Sequence, residues 1–356
     1  MNYQEIISKI FEKSLAENAS DIHISTGKPP TIRIDGRLLP LKDEKIIGPD
    51  DAREITYAIL GPERKEEFIS KKELDFSYEY KHKTRFRGNA FLQQGLISLA
   101  LRIIPSKIRT IEELNLPSFL HKFTELKQGF IIITGPASHG KSTSLAAMID
   151  EINKNRESHI ITIEDPIEYV FYQQKSIIDQ REVGIDTKSF AVALRSTLRQ
   201  DPDVIMMGEM RDYESISIAL TAAETGHLVF STLHTNSASQ TVDRIIDVFP
   251  ADQQHQVRAQ LAASLEAIIS QRLIPRINGE GRIPACEIMV ANPAVSNVIR
   301  EKRTHELDMM ITTSSEEGMI SLNRSLANLV LQKEISFEDA IKYSISPSEL
   351  KLLLKK

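Results

Sequence analysis

The sequence predicts an α/β protein: a small antiparallel α+β module, followed by a larger parallel-sheet fold that ends in helices. Three observations lead there. The first hundred residues hold short alternating strands joined by tight turns. From Phe130 onward the strands become continuous apolar runs separated by helical patterns. One of those runs enters Gly135-Pro136-Ala137-Ser138-His139-Gly140-Lys141-Ser142. Alternation marks a sheet with one wet face, whereas unbroken apolar runs mark strands covered on both faces, as in a parallel sheet with helical crossovers.

Residues 3–17 place Ile6, Ile7, Ile10, Phe11 and Leu15 at helical spacing, and residues 21–24 alternate as a short strand. Residues 31–41 read as a hairpin, with Ile32 and Ile34 before the turn dipeptide Asp35-Gly36 and Leu38 after it. A helix over 50–60 is entered at Pro49. Leu74, Phe76, Tyr78 and Tyr80 alternate with polar residues as a half-buried strand, and 85–93 and 97–103 read as two more. Such strands make an antiparallel sheet with helices on one side. Pro105, a charged stretch and Pro117 mark a linker. The expected domains are therefore 1–105, a linker at 106–117, a core at 118–275 and a mainly helical region at 276–356. In that last region Ser336 with Asp339 reads as a capping box. Ser346-Pro347 with Glu349 reads as an N-cap, a first-turn proline and a third-position acid.

Composition bounds the function. The chain has 356 residues, enough for two domains or at most three. Its net charge of −5 excludes a strongly basic body held to nucleic acid by bulk charge, though not a local basic patch. No apolar run is long enough for a transmembrane helix, and the N-terminus lacks a signal-peptide core. The single cysteine, Cys286, excludes an intramolecular disulfide and any four-cysteine zinc site, so the expected compartment is the cytoplasm. Within RIPACEIMV its expected role is a small buried strand residue.

The run Phe130–Thr134, the G-x-x-x-x-G-K-S loop and a helix beyond it with Leu145, Met148, Ile149 and Ile152 on one face form the strand–loop–helix context of a phosphate-binding loop. Loop amides and the positive helix end would face the phosphates. Lys141 would supply a point charge to the β/γ-phosphates, the Ser142 hydroxyl could ligate Mg2+, and Gly140 lets the backbone come close. His139 is expected to point outward. Hydrolysis also needs a metal partner and a means of positioning water. Glu164 and Glu209 end the next two apolar runs, and in a doubly wound sheet ligands sit outside the carboxyl ends of the strands. Glu209 would act on the attacking water or Mg2+, with Glu164 supporting it through water or metal; the alternative for each acid is to cap the next helix. His227 and His234 bracket the fourth apolar run seven positions apart, on opposite faces of an unbroken strand, and only His234 lies at the carboxyl end. Arg195 and Arg199, four apart, would share a helix face, reaching phosphate or a neighbouring subunit, or else forming ion pairs. Arg85 and Arg87 share a strand face. With Arg102 they are candidate trans contacts, because an added guanidinium stabilises γ-phosphate charge.

These residues resemble a known group. GPASHGKST, IEDPIEY, RQDPDVIMMGEMRD and TAAETGHLVFSTLHT look like the phosphate loop, Asp box, Walker B and His box of the secretion ATPase superfamily. ASDIHISTGKPPTIRIDG looks like the N-terminal module of these motors. ANPAVSNVIREKR and GMISLNRSLANLVLQKEIS look like the C-terminal region of the type IV pilus retraction ATPases, the PilT family. The resemblance covers nearly the whole chain. It implies a PAS-like α+β domain, then a RecA-like P-loop ATPase domain with a C-terminal helical region, assembled as a ring-shaped homohexamer. It further implies ATP between the two domains, with N-terminal arginines completing the site.

Carried over residue by residue, the resemblance makes Glu209 the catalytic glutamate, Glu164 and Asp165 the acidic pair of the Asp box, and His227 and His234 the His box. Arg87 and Arg102 match the N-terminal arginines, and the loop residues 135–143, Thr143 included, match the nucleotide-binding loop. Residues 294–301, with Asn297 and Arg300, match a helical motif needed for retraction but not for hydrolysis. The implied cofactors are ATP and Mg2+. The implied partner is the inner-membrane platform protein of the pilus machine, with the motor peripheral at the inner face of the membrane and neither inserted in lipid nor bound to nucleic acid. The chain departs from the family at Ser138 and His139, where a glycine and a small residue are usual. It departs again at Gln94, where the strand after Arg87 often carries an arginine. The rival readings are a pilus assembly or type II secretion ATPase, which is typically longer and carries a zinc subdomain, a nucleic-acid translocase, and a poorly hydrolysing accessory or regulatory paralogue.

Overall fold

The computed structural model describes residues 2–34, 36–81, 84–104, 107–210 and 212–355. Asp35 of the expected hairpin turn, Pro105 at the edge of the expected linker and Arg211 of the Walker B box lie outside them. Internal contacts divide the chain into two compact units, residues 1–107 and 108–356.

The first unit comprises α1 (Tyr3–Ala16), β1 (Asp21–Ser25), β2 (Thr31–Ile34), β3 (Arg37–Pro40), α2 (Pro49–Lys71), β4 (Glu73–Tyr80), β5 (Thr84–Gln93) and β6 (Leu96–Ile104). Its strands form one antiparallel sheet in the order β3-β2-β1-β6-β5-β4. The apolar side chains that suggest α1 bury Ile7, Ile10 and Phe11, and Phe11 stacks on Phe86 at 4.3 Å between ring centroids. The helix expected over 50–60 runs further, because the chain breaks only at Gly61 (φ 72°) before Pro62 and then resumes. A Gly-Pro pair reads as a stop, and buried Phe68 shows what the continuation gains. Gln94 falls between two strands, as the readings at 85–93 and 97–103 leave it, and not on the strand that the resemblance implies. With φ 51° it forms the β5–β6 turn beside Gly95 (φ 78°).

The second unit comprises α3 (His121–Thr124), β7 (Gly129–Thr134), α4 (Lys141–Asn155), β8 (His159–Glu164), β9 (Ile177–Glu182), α5 (Phe190–Thr197), β10 (Val204–Met207), α6 (Tyr213–Glu224), β11 (Leu228–Thr232), α7 (Ala238–Asp247), α8 (Gln254–Ser264), β12 (Leu265–Pro275), β13 (Arg282–Val290), α9 (Pro293–Arg300), α10 (Leu307–Thr313), α11 (Leu322–Leu331), α12 (Phe337–Tyr343) and α13 (Pro347–Leu354). Its sheet runs β13-β12-β7-β11-β10-β8-β9, parallel throughout except for β13, which pairs antiparallel with β12. Side chains of β7 alternate between two buried faces. Phe130 and Ile132 meet the core that holds α5 to α9, while Ile131 and Ile133 meet the core that holds α4 and Leu120. This is the double burial that continuous apolar runs signal.

The sequence pattern anticipates β7, β8, β10 and β11. It does not reveal β9, an edge strand whose alternating IIDQRE lacks the apolar-run signature, or β12, which leaves α8 without a punctuating residue. The strand read at RIPACEIMV is present as β13 over 282–290, with Cys286 buried in it, and the helices of the mainly helical region begin at Pro293. Within the expected linker, Ile111 and Leu116 are buried in the core beneath α4. Arg195 lies on α5 and pairs with Glu214, but the helix ends at Thr197, so Arg199 does not share its face. Ser336 caps α12 by accepting the Asp339 N–H at 3.0 Å, but Asp339 Oδ2 accepts from the Ser336 hydroxyl rather than from its N–H, so only half of the expected box forms. Ser346 makes no side-chain cap, and the Glu349 carboxylate instead accepts from Asn323 Nδ2 at 2.6 Å. Cys286 is fully buried in β13, and its N–H donates to Ser325 Oγ, tying the sheet to α11. Among the described residues, no helix is long and apolar enough to cross a membrane.

Glu287, next to Cys286, is buried and accepts the Ala238 N–H at 2.8 Å, which fastens the start of α7 to β13. Burial pushes its carboxyl up to about 7 against the lowering effect of that N–H. The folded chain holds this proton better than the unfolded one. Its contribution to stability is therefore full below the ordinary value of 4.5 and is lost as pH rises through 7. Urea midpoints should fall between pH 4.5 and pH 8, and Glu287→Gln should flatten that fall; an unchanged slope would place the titration elsewhere.

Candidate functional site

The site lies where β7 ends and α4 begins. Thr134, the last residue of β7, donates its hydroxyl to the Thr235 carbonyl at 2.8 Å, which closes the carboxyl ends of β7 and β11 together. The loop then leaves the sheet through Gly135 (φ 140°) and re-enters helix through Gly140 (φ 80°). Neither position has room for a side chain: a Cβ on Gly135 would meet the Gln271 carbonyl at 2.3 Å, and one on Gly140 would meet Gln271 Nε2 at 2.9 Å. Ser138 adopts φ 63°, a left-handed conformation that costs a non-glycine residue roughly 1–2 kcal/mol. That gives a backbone reason for the glycine usual in the resembling family.

Lys141 is buried, and its ammonium donates to the carbonyls of Gly135 at 2.8 Å and Pro136 at 2.9 Å. Burial lowers its pKa, opposed by the negative charges of Glu209 and Glu168. His234 Nδ1 lies 3.3 Å from this ammonium, and His234 Nε2 lies 3.0 Å from Glu209 Oε2. An ammonium can only donate, so Nδ1 accepts and Nε2 carries the hydrogen donated to Glu209. Lysine, histidine and glutamate from three separate strand ends thus form one hydrogen-bonded chain, which sequence order alone does not display.

Glu164 is placed differently from expectation. It is buried, its Oε1 accepts from Thr162 Oγ1 at 2.7 Å and Gln180 Nε2 at 3.1 Å, and its Oε2 accepts from the Glu168 N–H at 3.3 Å. Burial pushes its carboxyl up to about 7. Its oxygens are thus engaged by β8, β9 and the Asp-box loop. Its neighbour Asp165 opens that loop. Glu168, unmarked by the sequence pattern, is the Asp-box acid whose charge reaches Lys141. His227 sits before β11, at the strand end opposite His234, with Nδ1 2.9 Å from the Ala222 carbonyl. The structure does not bring it to the loop.

His139 does not simply point outward: its Nδ1 accepts the Leu273 N–H. A pocket of 460 Å3 opens beside α4, lined by Thr143, Arg109, Asn115, Gln271, Arg276 and Arg282 among others. That size suits a small organic ligand. Gln271 escapes a sequence reading, although a polar residue closing an apolar run is the same signal that marks Glu164 and Glu209. Ser142 stands in the first turn of α4, partly exposed. Among the described residues no cluster of three or more histidine, cysteine or acidic side chains could cage a metal. Mg2+ is instead commonly held by one or two protein oxygens together with substrate phosphates. The Ser142 hydroxyl and the Glu209 carboxylate fit that donor set, and Glu164 does not.

In the first unit Arg87 and Arg102 are exposed and directly opposite each other on β5 and β6, with Arg102 Nε donating to Asp21 Oδ1 at 3.0 Å. On α9, Val295, Val298 and Ile299 are buried while Ala294, Asn297 and Arg300 are exposed three residues apart on one face.

A doubly wound parallel sheet with a G-x-x-x-x-G-K-S loop and an acid–histidine pair at its carboxyl edge defines a P-loop nucleotide hydrolase. The family described as Type II/IV secretion system protein matches residues 98–341. The chain is 45% identical to the type IV pilus retractation ATPase PilT of Pseudomonas aeruginosa, covering 94% of this chain and 96% of that one. It is 41% identical to the type IV pilus ATPase PilU of the same organism, covering 100% and 92%. A solved structure of the pilus retraction motor PilT with bound ADP superposes with a TM-score of 0.90 at 46% identity, covering 97% of this chain and 98% of that one. The chain belongs to the Type II/IV secretion system protein family.

If Glu209 positions or activates water, Glu209→Gln should still bind nucleotide but hydrolyse it at least ~100-fold more slowly. Turnover within threefold of the parent would remove Glu209 from that role.

Proposed function

We propose that this chain is an ATP-hydrolysing motor that powers type IV pilus retraction. The observation that carries the reading is the Lys141–His234–Glu209 chain laid across the phosphate loop, in a protein that matches a retraction motor along almost its whole length. ATP binds through the loop amides, Lys141, Ser142 and Thr143; Ser142 and Glu209 would hold Mg2+, which would supply neutralisation of phosphate charge. Glu209 orients or deprotonates the attacking water. His234, touching both Lys141 and Glu209, senses whether the γ-phosphate occupies the space between them. In a homohexameric ring, Arg87 and Arg102 supply guanidinium charge in trans. The exposed face of α9, with Asn297 and Arg300, passes the motion to the platform protein at the inner face of the cytoplasmic membrane, so that pilin subunits are withdrawn. Asp165 and His227 belong to this coupling rather than to the bond-breaking step.

One observation favours a second reading, a slowly hydrolysing accessory paralogue: the strained Ser138 within the loop. Steady-state ATPase measurement on the purified chain decides between them.

Lys141→Ala should abolish ATPase activity, and near-normal turnover would overturn the site assignment. Deleting the gene should leave long pili that do not retract, as seen by imaging; bald cells would point to assembly instead. Replacing Asn297 and Arg300 with alanine should spare hydrolysis in the purified protein while retraction stops, and an equal loss of both would remove the coupling role from α9.

A further inference from the structure

Past the pairing of Thr134 with Ser270, β7 has turned into the phosphate loop while β12 continues for five more residues. The backbone amides on that side of β12 then have no strand to bond, and a backbone donor in such a place needs another acceptor. His139 supplies it: Leu273 N–H donates to His139 Nδ1 at 2.9 Å. The same loop residue is held a second time, its carbonyl accepting from Gln271 Nε2 at 2.8 Å. Gln271 Oε1 in turn accepts from Ser144 Oγ at 2.7 Å, in the first turn of α4. The preceding carbonyl, of Ser138, accepts from Arg282 Nη1 at 3.3 Å on β13. Beyond the ring, Tyr343 of α12 stands edge-on at 6.4 Å between centroids, and Arg272 Nη1 fixes the Tyr343 carbonyl at 3.1 Å.

These contacts surround the two loop positions where the chain departs from the usual glycine and small residue. Ser138 lacks glycine's freedom in the left-handed region, so the loop gains from outside fixation, and the next residue provides it.

We infer that His139 is a positioning residue that latches the phosphate loop onto β12 through a neutral Nδ1 acceptor, holding the loop amides in register for nucleotide phosphates. The acceptor requires the tautomer with hydrogen on Nε2. Burial, with Arg282, Arg272 and Lys141 beside the ring, favours the neutral imidazole. His139 itself need not touch nucleotide. Because Tyr343 and Arg272 join the same contact, the latch also binds the loop to the C-terminal helices, where the position of α12 can bear on phosphate affinity.

The latch rests on the ATPase reading, and one experiment separates the two. Steady-state ATPase kinetics are measured on the full-length parent, His139→Asn and His139→Leu. Asparagine keeps an acceptor near Nδ1, whereas leucine keeps the volume without one. The latch predicts that His139→Leu raises KM for ATP about fivefold, the effect of one net hydrogen bond, with kcat within twofold, while His139→Asn stays within twofold of the parent in both. A packing role predicts the reverse order. Leucine equal to or better than asparagine, or all three proteins alike, would overturn the latch. Failure of the leucine variant to fold while the asparagine variant folds and turns over normally supports it, and failure of both to fold overturns it. An inactive parent would count against the ATPase reading instead; in that case ADP affinity across the same three proteins, with the same ordering, tests the latch.

Discussion

The second unit is organised around one close approach, that of the phosphate loop to strand β12. At Gly135 a Gln271 carbonyl occupies the space a Cβ would need, and at Gly140 the Gln271 amide does the same. Such contact is possible only because both residues are glycine and both adopt positive φ. The loop's behaviour depends on it. Strand β12 replaces solvent on one side of the loop, and Lys141 is buried. The same approach explains why β12 needs to be a long strand and why it is joined to β13, since a lone edge would not hold its shape against the loop.

The chemistry is distributed over strand ends that are remote in sequence. Lys141 lies just beyond β7, Glu209 beyond β10 and His234 beyond β11, and the order β7-β11-β10 sets them side by side. A histidine thus stands hydrogen-bonded between the phosphate-loop lysine and a carboxylate. Glu164, one strand further on, is buried and accepts from Thr162, Gln180 and the Glu168 N–H, so two carboxylates with the same sequence signature sit in different hydrogen-bond surroundings.

Much of this is legible in the sequence. Continuous apolar runs identify four parallel strands, because burial on both faces leaves little choice of residue. The G-x-x-x-x-G-K-S loop identifies itself, because close backbone approach and anion binding restrict residue types. Glu209 and His234 are readable from their positions after apolar runs. What stays hidden depends on partners distant in the chain. The β9 strand is half polar because it is an edge. Strand β12 flows out of α8 with no break. Glu168 carries no local mark, and Gln271, although it closes an apolar run, owes its place to the loop it packs against. His139 reads as outward-facing because nothing near it in sequence shows that Leu273 presents an unpaired amide.

Cys286 carries a last consequence. Its thiol is fully buried, and burial pushes its pKa up to about 12, so the reactive thiolate is scarcely formed at neutral pH. With no other cysteine in the chain, the folded protein presents no exposed thiol to reagents. A cysteine introduced at any exposed position would therefore be the sole point of attachment for a fluorophore or spin probe. The native background already suits distance measurements between the two units during turnover, with no residue removed first.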